Sequence, residues 1–328
     1  MEPVKLGIIG CGLAATNVHW PNLKLLRDKF RIVAVSDSAE ERAQEYSRVV
    51  GGVPYETDHR VLLSKHDIEA VDIVAPIPLH HPLVADALGA GKHVFVEKPL
   101  AADLRQGELM LKLDAQYPQV KMVGENFRYR RAVTRTRHIM DSGTIGRPYA
   151  GFCDFLVNFD TPDNPYARTP WRVHHKFPGG SILDVGIHWA AQLRCLFGDI
   201  TVKKGFTGSI NPNLGQIDSL SFHFSSGKQL DGVANFFLSA KEIYTDRMVI
   251  LGTEGTIVVN PLGTSFGDVN IATHTKGEIK EEKVQNDTGF IEEFTDFFSA
   301  IRTGSPVHSS FGEAYKDLKV ILDALGAP

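Results

Sequence analysis

Through residue 125, short apolar runs alternate with amphipathic stretches of helical length. Lys5 to Ile9, Arg31 to Ser36, Ala70 to Ala75, His93 to Val96 and Lys121 to Gly124 read as strands. Ala14 to Asp28, Ala39 to Val49, His59 to Leu63, His81 to Ala90 and Leu104 to Gln116 read as the helices between them. Such alternation predicts a doubly wound parallel sheet, because parallel neighbours need a connection long enough to return. After a bridging helix near Ala132 to Ser142, the turn Gly143-Thr144-Ile145-Gly146-Arg147-Pro148 changes the pattern. Strand-like segments follow near 149–158, 201–209, 217–225, 229–239, 247–252 and 255–260, with hairpin signals at Ser225-Ser226-Gly227-Lys228 and Thr253-Glu254-Gly255. Helices near 287–303 and 311–325 close the chain. The expectation is an α/β protein: a dinucleotide-binding domain over 1–125, then a domain over 126–328 with a mainly antiparallel sheet.

At 328 residues the chain exceeds the size at which one core usually keeps growing, which supports two domains. A formal net charge of -4 argues against general affinity for nucleic acid, and no apolar run approaches the ~20 residues of a membrane span. Cys11, Cys153 and Cys195 are odd in number and far apart, so neither a disulfide framework nor a zinc site is expected. With no leader-like N-terminus either, the expected setting is the cytoplasm, with no metal, nucleic-acid or membrane partner.

Gly10-Cys11-Gly12-Leu13-Ala14-Ala15 sits between the first strand and its helix. Gly10 permits a tight turn, Gly12 lets backbone approach a pyrophosphate, and Ala15 keeps the helix near the sheet; the helix start at Leu13 and Ala14 offers N–H groups to phosphate. Asp37, at the end of the second strand, suits the ribose hydroxyls and favours NAD, while Ser38 and Arg42 keep NADP open. Glycines alone make such turns without any ligand; the strand before them and Asp37 after them give the motif its context.

Lys98 follows a strand at its carboxyl end, within Glu97-Lys98-Pro99. An ammonium there suits stabilising an alkoxide as hydride leaves the adjacent carbon. Asp184 and His188 are four apart and share a face if Ser181 onward is helical, which makes an acid/base pair for an alcohol proton. Spacing alone leaves two other readings open: Asp184 as part of a capping box with Ser181, and His188 as a bonded core histidine. The Phe290, Phe294, Phe297 and Phe298 stripe reads as core.

With these motifs, and with Gly179-Gly180-Ser181 leading into Asp184-x-Gly186-x-His188, the chain resembles the Gfo/Idh/MocA oxidoreductases over nearly its whole length. Further matches are Pro76 with His80, Glu125-Asn126-Phe127-Arg128-Tyr129, Trp171-Arg172 and Gly252-Thr253-Glu254-Gly255-Thr256. The resemblance implies a Rossmann domain plus an α/β domain whose large open sheet serves oligomer contacts, as a homodimer or homotetramer. It also implies NAD(P)-dependent oxidation or reduction of a sugar or cyclic polyol. Lys98, Asp184 and His188 become the catalytic set; Pro76, His80, Glu97 and Lys98 join the cofactor residues, and Arg128, Trp171 and Arg172 join the substrate residues. Two departures, Ala75-Pro76-Ile77 and Arg130-Arg131-Ala132, weaken any transfer of substrate preference. An NAD-dependent glycoside hydrolase and a non-catalytic dinucleotide-binding regulator remain the alternatives.

Overall fold

The apolar run that opens the chain forms strand β1 (Val4–Ile9), with β2 (Phe30–Ser36), β3 (Tyr55–Glu56), β4 (Ala70–Ile73), β5 (His93–Glu97) and β6 (Lys121–Gly124) following. The structure, a computed structural model, describes residues 1–227, 229–263, 267–285 and 288–327. The six strands are parallel in the order β3-β2-β1-β4-β5-β6. Chain order therefore reverses between β1 and β4, the place where open α/β sheets bind ligands at their carboxyl ends. The short β3 was not expected; two residues carry no readable period.

The first helix is not uniform. Ala15–His19 form a π turn that runs into α1 (Trp20–Leu25), with the Trp20 N–H reaching back to the Ala15 carbonyl. Pro21 explains it: proline has no N–H to give and its ring crowds the carbonyl four residues back, so the turn upstream widens. The remaining crossover helices are α2 (Glu40–Val49), α3 (His59–Leu63), α4 (His80–Gly89) and α5 (Leu104–Gln116).

Two compact units emerge: 1–125 with 290–315, and 126–289 with 316–328. Residues 290–315, which include α9 (Phe290–Thr303), belong to the first unit. Phe294 stacks on Phe95 at 4.8 Å and meets Phe30 edge-on, while Phe297 stacks over Phe30 at 6.3 Å. Phe294, Phe297 and Phe298 are buried as expected of a core stripe, and Phe290 is half-buried.

In the second unit, α6 (Arg131–Asp141) precedes β7 (Pro148–Leu156), and α7 (Pro170–Val173) and α8 (Gly180–Phe197) precede β8 (Ile200–Gly208). Then come β9 (Ser219–Ser226), β10 (Leu230–Phe237), β11 (Thr245–Gly252), β12 (Gly255–Pro261), β13 (Val269–Thr275) and β14 (Glu278–Val284); the last helix is α10 (Phe311–Leu325), which belongs to this unit from residue 316 on. The sheet order is β14-β13-β12-β11-β7-β10-β9-β8, antiparallel except for the β7–β10 pair. Both expected hairpins form, β9–β10 and β11–β12; Lys228 of the first, and Asp287 in the expected start of α9, lie outside the described residues. The last two strands were missed, β14 because its Glu-Ile-Lys-Glu-Glu-Lys-Val is the charged pattern of an edge strand rather than a half-buried one. One face of this sheet is core, where Phe155 stacks on Trp189 and Phe222 and Phe236 meet edge-on. The register puts Phe152, Phe206 and Phe237 on the other face, all exposed. No helix among the described residues is long and apolar enough to cross a membrane.

Because Phe294 fills the junction of α9 with β2 and β5, Phe294→Ala is expected to cost about 3–5 kcal/mol, read as an earlier unfolding midpoint in urea.

Candidate active site

The turn after β1 is shaped by its glycines. Gly10 has φ of +98°, and a Cβ there would lie 2.2 Å from the Val74 carbonyl oxygen. A Cβ on Gly12 would meet nothing within 4 Å, so its backbone faces open space, the condition for a phosphate to approach. Leu13, Ala14 and Ala15 continue into the helix, where the Tyr46 hydroxyl donates to the Ala15 carbonyl. This turn fits a dinucleotide.

Asp37, just past β2, closes the same turn. Its carboxylate accepts from the Cys11 N–H at 2.9 Å and the Ala39 N–H at 2.9 Å, and pairs with Arg42 at 2.8 Å. Burial works against its charge, but the Arg42 pairing and the two backbone N–H groups win and hold its carboxyl below the usual range. Ser38 and the Arg42 side chain are exposed beside it. Burial, with Asp37 nearby, pushes the Cys11 thiol up to about 12, so this cysteine stays protonated.

Lys98 is half-buried at the carboxyl end of β5, joined to Pro99 by a cis peptide bond. Its backbone N–H donates to Glu97 Oε2 at 3.1 Å. Glu97 Oε1 lies 2.7 Å from His19 Nε2, and His19 Nδ1 lies 2.7 Å from Asp72 Oδ2. Both ring nitrogens thus face carboxylate oxygens, which accept from a doubly protonated ring, while burial raises the Asp72 carboxyl above its usual range against the pull of His19. Burial opposes that charge, yet Asp72 and Glu97 hold the His19 pKa well above its ordinary value. Glu293 of α9 is buried nearby; desolvation, reinforced by Glu97, lifts its carboxyl well above the usual range and keeps it neutral.

Two of the expected cofactor residues have polar atoms engaged within the protein. Glu97 turns its carboxylate to His19 and the Lys98 backbone. His80 is fully buried, its ring set between the Pro99 and Ala75 carbonyls at 2.9 Å each, and burial lowers its pKa. A ring so enclosed holds the turn rather than meeting a ligand. Pro76, half-buried, opens the short 3-10 turn that leads to it.

In the second unit, α8 starts at Gly180 with Gly179 as its N-cap, and the Ser181 hydroxyl bonds the Leu214 carbonyl. Asp184 lies beyond that first turn, which removes the capping account. Its carboxylate is buried and accepts from Arg172 Nε at 2.7 Å. Arg172 also donates to Thr169 and lies over the Trp171 ring at 4.1 Å. His188 is the only residue from Gly180 to Arg194 that is not buried, and its ring stacks on Phe127 at 4.6 Å. The expected pocket cation Arg128 is instead a core group: buried, paired with Asp317 of α10 and bonded to Cys195 Sγ. Arg194 reaches the same Asp317 from α8 at 2.7 Å. Sequence reasoning missed His19, Asp72 and Glu293; the available signal was a lone carboxylate within Ala70-Val71-Asp72-Ile73 and another inside the phenylalanine stripe.

Residues 4–125 match the family described as "Oxidoreductase family, NAD-binding Rossmann fold", and residues 133–258 match the GFO/IDH/MocA C-terminal domain. The crystal structure of an oxidoreductase from Thermotoga maritima superposes with a TM-score of 0.90 at 30% identity, covering 98% of this chain and 96% of that one. Dehydrogenase FPY6 of Fusarium mangiferae is 28% identical over 99% of this chain and 96% of its own. Myo-inositol 2-dehydrogenase of Thermotoga maritima is 25% identical, over 92% and 90%.

Glu293 and His19 both hold protons more tightly folded than unfolded. Their stabilisation is therefore complete below their unfolded values, near 4.5 and 6.5, and is lost as pH rises through the raised ones. His80, with its lowered pKa, acts in the opposite sense, so the comparison that isolates the effect is with Glu293→Gln. From pH 6 to 9 the melting temperature of that variant is expected to fall less steeply than the parent's.

Proposed function

The chain belongs to the Gfo/Idh/MocA oxidoreductases, and from that premise we propose that it moves hydride between nicotinamide and a secondary alcohol or ketone of a sugar, sugar derivative or cyclic polyol. The observation that carries the reading is one unit holding both an open dinucleotide turn and Lys98 at the carboxyl end of a sheet strand. NAD is the preferred partner of that turn, since the Asp37 carboxylate, held ionised, welcomes ribose hydroxyls and repels a 2′-phosphate; Arg42 beside it is the group through which NADP would be tolerated. Gly10, Gly12, Leu13, Ala14, Ala15, Asp37, Ser38 and Pro76 complete the proposed cofactor set.

When bound, the cofactor supplies the hydride acceptor or donor. Lys98 donates a hydrogen bond to the substrate oxygen and stabilises the alkoxide as the neighbouring carbon loses hydride. His188 takes the hydroxyl proton in oxidation and returns it in reduction. Asp184, pinned by Arg172, orients the hydroxyl, and Trp171 with Arg172 offers a flat, cationic wall to a polyhydroxylated ring. A cyclic polyol is supported by the name of the inositol dehydrogenase relative. The exposed Phe152, Phe206 and Phe237 on one sheet face suit a second copy of the chain, since a monomer gains nothing from showing them to water.

With NAD or NADP present, a panel of inositols, aldoses, aminosugars, sugar acids and glycosides is expected to yield NADH or NADPH absorbance with one of the polyols or sugars. Lys98→Ala and His188→Asn should each lower kcat roughly a hundredfold or more while NADH binding persists. Cofactor binding with no redox signal across the panel, or sugar release without NADH, would overturn the reading. Separately, Phe152→Asp combined with Phe206→Asp is expected to move the sedimenting mass from an oligomer to the 36.2 kDa chain.

A further inference from the structure

His19 lies nine residues beyond Gly10, in the π turn, and reaches across the sheet to two strands at once. We propose that His19 is a positioning residue for hydride transfer: bonded to Asp72 of β4 and Glu97 of β5, it fixes the carboxylate that receives the Lys98 N–H and so ties Lys98 to the dinucleotide turn. The inference rests on the reading of Lys98 as the substrate-binding cation.

The geometry leaves the ring little freedom. Each nitrogen is 2.7 Å from its carboxylate, and the ring meets Phe95 at 6.1 Å and Phe294 at 5.6 Å, both near perpendicular. The charged and titratable groups around it come from four elements: Asp72 on β4, Glu97 on β5, neutral Glu293 on α9, and Tyr46 on α2 beside Asp72. For stability alone, one carboxylate would balance an imidazolium. A second one adds a further desolvation cost and leaves the trio with a net negative charge. That cost is explained if Glu97 must be held in place, and its other oxygen shows why, since it accepts the Lys98 N–H at 3.1 Å.

The turn needs such support. Pro99 has no N–H, so the backbone after Lys98 lacks a donor for a sheet-type bond. Side chains hold it instead: Glu97 on the Lys98 side, and His80 on the Pro99 carbonyl at 2.9 Å. His80 anchors the turn to the end of β4, whereas His19 anchors it to the helix that begins at the glycine turn. Displacing a catalytic group by about 1 Å can cost a hundredfold in rate, so a link between the two partners of hydride transfer has a kinetic value that a core ion pair lacks.

The test compares His19→Gln, Glu97→Gln, their double variant and Lys98→Ala. Glu97→Gln is included because it keeps the His19–Asp72 pair balanced and should fold even if His19→Gln, which leaves buried Asp72 without its cation, does not. NADH affinity is read by fluorescence, turnover with the panel alcohol that the parent oxidises fastest, and the His19 ring by histidine-selective 15N NMR. The expected result is a kcat ten- to a hundredfold lower in folded His19→Gln and in Glu97→Gln, with KM and the NADH Kd within about threefold, and a double variant no worse than the lower of these two. The parent's His19 signal should show both nitrogens protonated at pH 8. A folded Glu97→Gln with parental kcat would overturn the proposal, as would a loss confined to NADH affinity, or a neutral His19 ring at pH 7. Inactive Lys98→Ala beside an active Glu97→Gln sinks this inference alone; active Lys98→Ala sinks the reading of Lys98 and this inference with it.

Discussion

Asp72 lies within β4 with its side chain withdrawn from water and a strand on either side, so the protein itself has to meet its charge. A lone carboxylate there would cost several kcal/mol or take up a proton. His19 meets it, and much of the first unit follows from that contact. The helix after the glycine turn must present His19 inward, Pro21 widens the turn in which it lies, and the free end of the ring then captures Glu97 beside Lys98. The phenylalanines of α9 seal the pair from solvent and bring neutral Glu293 with them. A chain segment from residue 290 on thus completes a core begun at residue 4.

The second unit handles its cations by the same logic and with the opposite consequence for function. Arg128 and Arg194 share Asp317, and Arg130 faces Asp246, which also accepts from the Trp189 indole. These guanidiniums are buried, and removing either partner would strand a charge at a cost of about 3–5 kcal/mol. Their planar donors are spent on the fold. Arg172 is different: it is partly exposed, stacked against Trp171, and bonded to Asp184 through Nε. The contrast separates an arginine that holds helices together from one beside the residues proposed for catalysis, although both stand in motifs of equal prominence in the sequence.

Features that neighbours within a few positions can enforce were legible along the chain. Apolar runs and 3.6-residue periods specified the parallel strands and their helices, glycines with a preceding strand specified the dinucleotide turn, and turn residues specified the hairpins of the second sheet. Lys98 at a strand end, and Asp184 and His188 on one helix, were legible for the same reason. Charged β14 and two-residue β3 escaped because an edge strand and a very short one impose no apolar period. Packing chose the partners: Asp72 for His19, Asp317 for Arg128, Arg172 for Asp184, and the first sheet for α9. A buried charge must find its counterpart wherever the fold brings one within hydrogen-bond reach, and for Arg128 and Asp317 that is 189 positions along the chain. Local pattern carries no record of such distances, so it named the ionic residues and left their roles to be assigned by packing.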